Sequence, residues 1–433
     1  MGPIMLAFSL ALLAWLLVVG KEVQQRRPDW HWYLTGYPRT ALLVMVTWRK
    51  VAYVNDLTVS HKPNHHIVGG IAVKGEPLRT LTPRCSFPRP TPNGLELTVR
   101  LRAGQTPAAF LAAVDAFAHS WRMHAVRVTS PERGVVLIAA TASDPLERPD
   151  RPAVRESAAL LSAVVGALET GRAWVMDFRR VPHWLIVGAT QSGKSTLIAR
   201  LITELAPQPV ALVGVDCKGG MELGLFEQRL SALATCRSEA VTVLGALVTD
   251  MQERMRLCRE AGARSIWDLP DKERPVPVVV IIDELAELYL TNGSKEQRAE
   301  AEQCSTYLLR LAQLGAALGV HLVVAGQRIG SDLGPGVTAL RAQLGGRICH
   351  RVNDPGTAEM ALGDLNKDAV VVAQSIGEME QGVAVTTGDL GGWMRGRSHL
   401  TTTAEVQLTA GEFSDLTPCL PYLSSPVEGG DDA

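Results

Sequence analysis

The feature that most constrains the fold of this chain is a loop that joins an apolar run to a helix. The run WLIV ends at residue 187, GATQSGKS follows over residues 188–195, and TLIARLITEL has the apolar spacing of a helix. In this strand-loop-helix context, two glycines let backbone N–H groups turn toward phosphates, Lys194 reaches the β- and γ-phosphates, and the Ser195 hydroxyl ligates Mg²⁺. The helix N-terminus adds partial positive charge. A glycine turn that merely precedes a lysine is the alternative, which the complete pattern disfavours.

The ligand predicted from this loop is a nucleoside triphosphate with Mg²⁺. Lys194 is expected to act in catalysis because it reaches the phosphates, and Ser195 is expected to be a metal ligand. The residues expected to bind the phosphates are contiguous: Gly188, Ala189, Thr190, Gln191, Ser192, Gly193, Lys194, Ser195 and Thr196.

A second apolar run, PVPVVVIIDELAEL, supplies the acidic groups that hydrolysis of such a ligand needs. Its β-branched centre is typical of a parallel strand buried on both faces, and Asp283 and Glu284 follow directly. We expect Asp283 to hold Mg²⁺ through water and Glu284 to polarise the attacking water. An acidic pair that caps the following helix is the alternative, and the presence of Lys194 elsewhere in the chain argues against it.

Composition excludes several classes of protein. The chain has 433 residues, enough for two or three domains, and its 46% hydrophobic content excludes a mainly disordered protein. Seven cysteines, none in a C-x-x-C pair, argue against a disulfide scaffold and a zinc site, and favour a reducing cytoplasm. Because the formal net charge is only −1, a polyanionic partner requires a local basic surface.

Residues 4–20 form an uncharged apolar run, which is at the short end of what spans a bilayer. Lys21, Arg26 and Arg27 follow it, and this charge asymmetry predicts a single-pass anchor over residues 1–20 in the cell membrane, with the rest of the chain in the cytoplasm. The alternative is a buried or partner-binding helix.

Residues 21–66 are predicted to be a basic membrane-proximal segment. Residues 21–106 contain thirteen Lys or Arg and five Asp or Glu. This excess fits anionic lipid headgroups at least as well as DNA. The run ALLVMVTW, residues 41–48, is too short to span a bilayer and is expected to be interfacial or packed.

The rest of the chain divides by pattern. Residues 67–145 alternate strands with an apolar helix, PAAFLAAVDAFAHSW, and predict a small α+β domain, while the proline-rich residues 146–154 predict a linker. Residues 155–405 predict the motor, a doubly wound parallel α/β sheet with strands at 210–215, 278–282, 320–325 and 347–352. Residues 406–433 are expected to be mostly a tail.

Six stretches in order carry a specific resemblance. They are GATQSGKS, VDCKGG, MQERMRL, VVVIIDELAEL, LGVHLVVAGQR and LRAQLGGRICHRV, over about 200 residues. The chain resembles the FtsK/SpoIIIE family of DNA translocases, and more closely the transfer proteins of actinomycete conjugative plasmids and integrated elements. The resemblance implies a RecA-like P-loop motor that assembles as a ring, commonly of six copies, and uses ATP to thread double-stranded DNA.

The same resemblance implies further roles. Gln327 would be a polar sensor beside the γ-phosphate, and Arg347 would be a charge inserted into the site of a neighbouring subunit. Lys218 would contribute to the site or to the pore. Two departures stand out: Ala316 occupies a position where relatives commonly have arginine, and too few residues follow the motor for a winged-helix module. Directional recognition of DNA must then come from a partner, such as a DNA-recognition or transfer-complex protein, or be absent.

Three other functions remain open at this point. Related ATPases drive protein secretion, although those chains typically carry several motors in tandem and this one has a single phosphate-binding loop. Chromosomal relatives pump DNA during partitioning. A nucleotide-dependent scaffold that moves nothing is disfavoured by Glu284, since a pure binder needs no acid to polarise water.

Overall fold

The computed structural model describes residues 32–61, 79–147 and 159–423, apart from residues 364, 366 and 389–391. The chain divides into two compact units, with the boundary between Glu147 and Arg148. The predicted linker falls largely outside the described residues, as does the predicted anchor over residues 1–20.

The small unit is built on an antiparallel sheet with the strand order β3-β5-β7-β6, and β4 pairs with β5. A separate two-stranded ribbon pairs β1 with β2. Helices cover one face of the sheet, because alternate residues of each strand are apolar and form the core with the helices. After a π-helical turn at Trp32–Gly36, the elements are α1 Tyr37–Val54, β1 Val59–His61, β2 Arg79–Leu81, β3 Arg84–Cys85, β4 Arg89–Thr91, β5 Gly94–Arg100, α2 Pro107–Ala112, α3 Val114–Trp121, β6 Ala125–Glu132 and β7 Val135–Thr141.

Helix α1 corrects the predicted boundary of this unit at residue 67. The run ALLVMVTW lies within α1, and Val44, Trp48 and Val51 are buried in the core of the small unit. Burial of a large apolar side chain contributes about 1.5–3 kcal/mol, which fixes the helix to the sheet. The part of residues 21–66 that forms α1 is therefore a packed element of the small unit. The predicted apolar helix is two helices, because the chain leaves helical geometry at Ala113.

The large unit contains a ten-stranded sheet with the order β12-β11-β13-β14-β10-β15-β16-β17-β8-β9. Its strands are β8 Ser162–Leu168, β9 Ala173–Asp177, β10 His183–Val187, β11 Ala211–Val215, β12 Ala232–Ala234, β13 Val278–Ile282, β14 Val320–Gly326, β15 Gly346–His350, β16 Val383–Thr387 and β17 Trp393–Ser398. Its helices are α4 Lys194–Leu205, α5 Arg237–Glu260, α6 Ala286–Tyr289, α7 Lys295–Leu314, α8 Val337–Gln343, α9 Pro355–Leu362, α10 Lys367–Ser375 and α11 Thr403–Glu412.

The prediction of a doubly wound parallel sheet holds for only part of this unit. The six strands from β12 to β15 in sheet order pair in parallel, and β10, β11, β13, β14 and β15 are buried along their whole length. From β15 onward, β16, β17, β8 and β9 pair antiparallel. The sheet is therefore mixed, with the parallel half carrying the apolar β-branched runs that the sequence analysis identified.

The predicted tail is wrong for its first part. Helix α11 begins before residue 406 and buries Val406 and Ala410 in the core of the large unit. A capping box between Thr402 and Glu405 starts this helix, with the Thr402 side chain accepting the Glu405 N–H and the Glu405 side chain accepting the Thr402 N–H. Beyond it, Ser231 Oγ donates a hydrogen bond to the Pro418 carbonyl at 2.7 Å. Residues 424–433 lie outside the described residues.

The predicted single-pass membrane localisation is also corrected. Of the helices in the described parts of the chain, none combines the length and the apolar character needed to cross a bilayer. In helix α1, Arg49 and Lys50 follow the apolar run of residues 41–48, and one face of the helix is buried in the small unit.

Candidate functional site

The predicted site residues other than Arg347 come together at one edge of the parallel half of the sheet. Strands β13, β14, β10 and β15 are neighbours in that order, so their carboxyl ends open on the same edge. The phosphate-binding loop follows β10, Asp283 and Glu284 follow β13, and Gln327 follows β14. Ligands of open α/β sheets bind outside the carboxyl ends of the strands.

The backbone of the loop explains the glycines in its sequence. A Cβ on Gly188 would lie 2.4 Å from Ser192 Oγ, and a Cβ on Gly193 would lie 2.5 Å from the Gly382 backbone. Gly193 also has a φ of +108° and begins helix α4, so the helix N-terminus faces the concave side of the loop. Side chains at these two positions would collide with the loop itself or with the backbone packed behind it, so the loop can take this conformation only with glycine at both.

Strand β15 and the turn before β16 hold the outer side of the loop. The Ala189 N–H donates to the Arg351 carbonyl at 2.8 Å, and the Arg351 guanidinium donates to the Thr190 carbonyl at 3.2 Å. The Gly382 N–H donates to the Ser192 carbonyl at 2.9 Å. The loop is thus held by two main-chain hydrogen bonds and one side-chain hydrogen bond from two other parts of the chain.

Lys194 connects the loop to the acidic pair. Its side chain is buried, with the residue 8% exposed, and Nζ lies 3.3 Å from Glu284 Oε2 and 3.1 Å from the Asp283 carbonyl. The other Glu284 oxygen, Oε1, accepts the Gln327 N–H at 3.1 Å. Glu284 is therefore oriented from both sides, toward the phosphate-binding loop and toward the end of β14.

Lys218 brings a second positive charge to the same carboxylates. Its Nζ lies 3.4 Å from Asp283 Oδ2 and 3.6 Å from Glu284 Oε2. Asp216 holds the loop that carries Lys218 by accepting the Lys218 and Glu222 N–H groups at 3.3 and 2.9 Å. Burial alone would lower the pKa of Lys218, but the attraction of Asp283 and Glu284 outweighs it and raises the pKa above its ordinary value. Two lysines and two carboxylates thus form one nearly neutral cluster.

The site opens into a cleft of about 460 Å³. Glu284, Lys218 and the exposed side chains of Gln327 and Arg328 line it on one side, and Asn353 and Asp354 line it on the other. Gln327 is therefore placed where a side chain can meet a ligand held by the loop. Its proposed role as a sensor remains a prediction.

The donor set fits a small divalent cation. Ser195 lies in the first turn of α4, directly after Lys194, and Asp283 lies across the site on β13. Hydroxyl and carboxylate oxygens are the ligands that Mg²⁺ uses when it is bound by one or two protein groups together with phosphates. Asp283 and Ser195 would hold Mg²⁺ in this arrangement, and the ion would neutralise charge on the transferred phosphate.

Arg347 does not join this site. It lies opposite Leu185 at the beginning of β15, away from the carboxyl ends of the strands, and the residue is 6% exposed. Its guanidinium donates to the Arg341 carbonyl at 2.8 Å, and its backbone N–H donates to Thr387 Oγ1 at 3.4 Å. A charge that enters the site of a neighbouring subunit must be accessible, whereas Arg347 is buried and in contact with its own unit. Its role in trans remains a prediction.

Ala316, where the resemblance led us to expect a basic group, also lies away from the site. It belongs to the 3₁₀ turn Gly315–Leu318 that precedes β14, at the opposite edge of the sheet from the phosphate-binding loop. Its carbonyl accepts the Trp267 indole N–H at 3.4 Å. The absence of a basic group at this position therefore removes no residue from the site described above.

Sequence reasoning missed three residues that support the loop: Arg351, Gly382 and His350. His350 is fully buried beside Gly188, its Nδ1 lies 3.1 Å from the Val383 carbonyl, and burial lowers its pKa to about 4. Arg351 could have been predicted from the sequence. It follows a strand parallel to the strand before the loop, and the carboxyl ends of parallel strands meet at one edge of the sheet. No signal in the sequence indicated Gly382, since its contact depends on an antiparallel strand.

A phosphate-binding loop and an acidic pair that lie on two parallel strands with a third strand between them define a P-loop nucleotide triphosphatase of the RecA-like class. Residues 20–142 match the family model of the actinomycete conjugal transfer protein N-terminal domain, and residues 147–275 and 267–331 match the FtsK/SpoIIIE family. The chain belongs to the FtsK/SpoIIIE family and is related to the actinomycete conjugal transfer proteins. It is an ATPase.

Three known proteins illustrate the relationship. The transfer protein TraSA of Streptomyces ambofaciens is 42% identical over 354 residues, which cover 79% of this chain and 85% of TraSA. The pCW3 conjugation coupling protein TcpA, solved as a monomer with ATPγS, has a TM-score of 0.56 at 22% identity over 78% of this chain and 94% of TcpA. The cytoplasmic domain of the type VII secretion ATPase EccC of Thermomonospora curvata has a TM-score of 0.50 at 21% identity, over 66% of this chain and 35% of that one. The two structures share the fold with this chain.

Proposed function

We propose that this protein is an ATP-driven translocase of double-stranded DNA that acts in conjugative DNA transfer as a ring, with six copies as the expected number. The observation that carries the proposal is the identity to TraSA, which extends through both units rather than the motor alone. The site supports the proposal as well. A motor must hydrolyse its nucleotide and not only bind it, and Glu284 is the acidic group that hydrolysis needs.

The residues of the site divide the work of hydrolysis. The loop from Gly188 to Thr196 would bind the phosphates through its N–H groups and Lys194, and Ser195 and Asp283 would hold Mg²⁺. Glu284 orients the attacking water. Glu284 contacts Lys194 and accepts a hydrogen bond from the Gln327 N–H. When Lys194 turns to the phosphates, Glu284 keeps the Gln327 contact, which would keep it directed into the cleft.

The fold alone does not choose between DNA and protein as the substrate, since a secretion ATPase shares it. The test is ATP hydrolysis by the purified protein with and without long duplex DNA, with a supercoiled plasmid and a denatured single strand as comparisons. We expect duplex DNA to stimulate hydrolysis several-fold and the single strand to have little effect. Equal rates with and without duplex DNA would contradict the proposal and favour a protein substrate.

Translocation and biological role need separate measurements. Displacement of a triplex-forming oligonucleotide from duplex DNA reports movement, and Glu284→Gln is expected to bind DNA and ATP without displacing the oligonucleotide. Disruption of the gene should reduce transfer of the genetic element between mating cells and leave chromosome segregation unchanged. Defective segregation with normal transfer would instead favour a chromosome-partitioning DNA pump.

A further inference from the structure

The open face of the small-unit sheet carries charges that the function of the motor does not explain. In β5, residues 95, 97 and 99 lie in the core, whereas Glu96, Thr98 and Arg100 alternate to the face that the helices leave uncovered. Glu96 lies opposite Arg89 of β4, and Arg100 lies at the other end of the strand. This face belongs to the region in which the sequence has its large excess of Lys and Arg.

Two arginines lie directly opposite each other on this face. Arg84 of β3 pairs in register with Arg100 of β5, and both are exposed. Like charges at directly opposite positions of an antiparallel pair are unfavourable. Within residues 32–61, 79–147 and 159–423, no carboxylate forms an ion pair with either arginine. The pair is therefore a site of concentrated positive charge that no ion pair in the described parts of the chain neutralises.

Two more arginines lie at the same end of the sheet. Arg100 pairs with Val135 at the start of β7, and the Leu101 N–H donates to the Gly134 carbonyl at 2.9 Å, which brings the loop after β5 beside the hairpin turn before β7. Arg102 from the first loop and Arg133 from the second line a cleft of about 630 Å³, together with the single acidic residue Glu132. We call Arg84, Arg100, Arg102 and Arg133 the arginine end.

We propose that the arginine end binds the phosphate backbone of double-stranded DNA, so that the small unit is a second DNA contact besides the motor. This inference rests on the proposed function and adds a location to it. A duplex carries one negative charge per ~1.7 Å of its axis. Its phosphates would therefore neutralise the charges of Arg84 and Arg100 and remove the repulsion between them. The planar guanidinium group matches a phosphate with two parallel hydrogen bonds.

The chemistry of the surface also predicts the kind of binding. Arg84 and Arg100 project from a sheet face rather than from an element that enters a groove, and phosphate contacts fix position without reading sequence. The contact should therefore be independent of sequence and strongly dependent on salt. Such a surface suits a protein that must hold DNA while it moves.

The test is the salt dependence of DNA affinity of the full chain, measured with a fluorescent duplex between 50 and 200 mM salt in the absence of ATP. The variant is Arg84→Gln with Arg100→Gln. The matched control is Arg49→Gln with Lys50→Gln, which removes the same charge from exposed positions of α1, on the other layer of the same unit. Each lost phosphate contact lowers the slope of log K against log salt by about 0.9.

We expect the variant to lose about 2 from the slope and at least tenfold in affinity at 50 mM salt, and the control to match the wild type. Equal slopes for variant and control would overturn the inference. So would a variant that changes the sedimentation coefficient without changing the slope, because the face would then be a contact between copies. Wild-type protein that neither binds duplex DNA nor is stimulated by it would instead contradict the proposed function.

Folding is controlled separately. The circular dichroism spectrum and thermal midpoint of each variant are compared with the wild type. If the double variant does not fold, Arg100→Gln alone is expected to lower the slope by about 1, and Arg100→Lys is expected to keep the wild-type slope. An unchanged slope for Arg100→Gln would overturn the inference equally well.

Discussion

The two edges of the parallel half of the motor sheet both bury polar groups, but they satisfy them differently. At the carboxyl edge, Lys194 and Lys218 are paired with two acidic side chains, Asp283 and Glu284. At the amino edge, the Arg254 guanidinium donates to the Leu318 and Val276 carbonyls at 3.0 and 2.9 Å. Side chains that are paired with one another can exchange partners when a ligand arrives. Contacts to main-chain atoms of the sheet cannot be exchanged without disturbing the sheet.

The same contrast applies to histidines at the amino edge. His183 Nδ1 accepts the Leu322 N–H at 3.1 Å, and His321 Nδ1 lies 3.2 Å from the Pro182 carbonyl. These contacts join the beginnings of β10 and β14. Substitutions at the carboxyl edge should therefore change catalysis with little effect on stability. Substitutions at the amino edge should lower stability with little effect on catalysis.

The largest effect is expected at the carboxyl edge, for Lys194→Ala. Loss of the charge that meets the β- and γ-phosphates should lower kcat of DNA-stimulated hydrolysis by about 10³, or about 4 kcal/mol. The thermal midpoint should change by only a few degrees, because Glu284 keeps Lys218 at 3.6 Å as a partner. Steady-state ATPase and thermal denaturation measure the two quantities.

Lys295→Ala is the matched control, since Lys295 is an exposed lysine at the start of α7. We expect it to behave as the wild type. If Lys194→Ala retained normal turnover, the carboxyl edge would not be the site of hydrolysis. If it unfolded the protein, the division between the two edges would be wrong.

The second effect is at the amino edge, for Arg254→Leu. Removal of this buried guanidinium leaves two carbonyls and Asp250 without their donor, and we expect the free energy of unfolding to fall by about 3 kcal/mol. The ATPase rate per folded molecule should remain within about twofold of the wild type. Urea denaturation and active-site-normalised kinetics measure the two.

Arg256→Leu controls for the loss of an arginine from the same helix. Its partners, Glu253 and Glu260, are on the surface of α5, and surface ion pairs contribute about 0–1 kcal/mol. A similar loss of stability in both variants would show that the contacts to the sheet are not special. A large loss of kcat in folded Arg254→Leu would show that the two edges are coupled.

This contrast also explains how much the sequence could predict. The carboxyl edge was predictable, because the spacing of glycine and lysine and the acidic pair after an apolar strand are local patterns. The role of Arg254 was not, although the stretch MQERMRL that contains it carried part of the family resemblance. Its partners are carbonyls 22 and 64 residues away, and no local pattern specifies such contacts.

The errors have the same physical origin. The sequence did not predict that Arg347 lies away from the carboxyl ends of the strands, because its position along β15 depends on the register with β10, which the sequence does not give. The antiparallel half of the sheet was missed because its strands pair with partners far away in the chain, such as β17 with β8. The helix α11 was taken as tail because only Val406 and Ala410 of its residues are buried.

The third prediction concerns the pH dependence of stability. It tests whether His183 and His321 at the amino edge are uncharged in the folded protein. Burial lowers the pKa of His183 to about 4, and burial together with the neighbouring His183 lowers the pKa of His321 to about 3. The unfolded chain takes up protons near pH 6.5 and the folded chain does not, so stability falls as pH decreases below 6.5. Between pH 6.5 and 5, each histidine should account for a loss of about 1.6 kcal/mol.

His321→Gln should reduce this pH dependence by about that amount, measured by urea denaturation at pH 7 and pH 5. Phe178→Leu is the control, because Phe178 packs against His321 with ring centroids 5.7 Å apart and does not titrate. It should lower stability equally at both pH values. An unchanged pH dependence in His321→Gln would mean that His321 is not held neutral in the folded protein.

The smallest effect is expected for two arginines on either side of the end of β15, Arg347 within the strand and Arg351 directly after it. Arg351→Gln removes the hydrogen bond from the guanidinium to the Thr190 carbonyl, and we expect the Kd for ATP to rise about fivefold, or about 1 kcal/mol, with kcat little changed. Arg347→Gln removes the bond to the Arg341 carbonyl and should leave that Kd unchanged while lowering stability by about 1 kcal/mol. Binding of a fluorescent ATP analogue measures the Kd, and urea denaturation measures the stability.

If Arg347→Gln were folded and inactive, and mixing it with Lys194→Ala restored hydrolysis, Arg347 would act on a neighbouring copy despite its burial. Without that rescue, Arg347 belongs with Arg254 among the groups that hold the sheet, and the site begins at the carboxyl end of β15, where Arg351 contacts the loop.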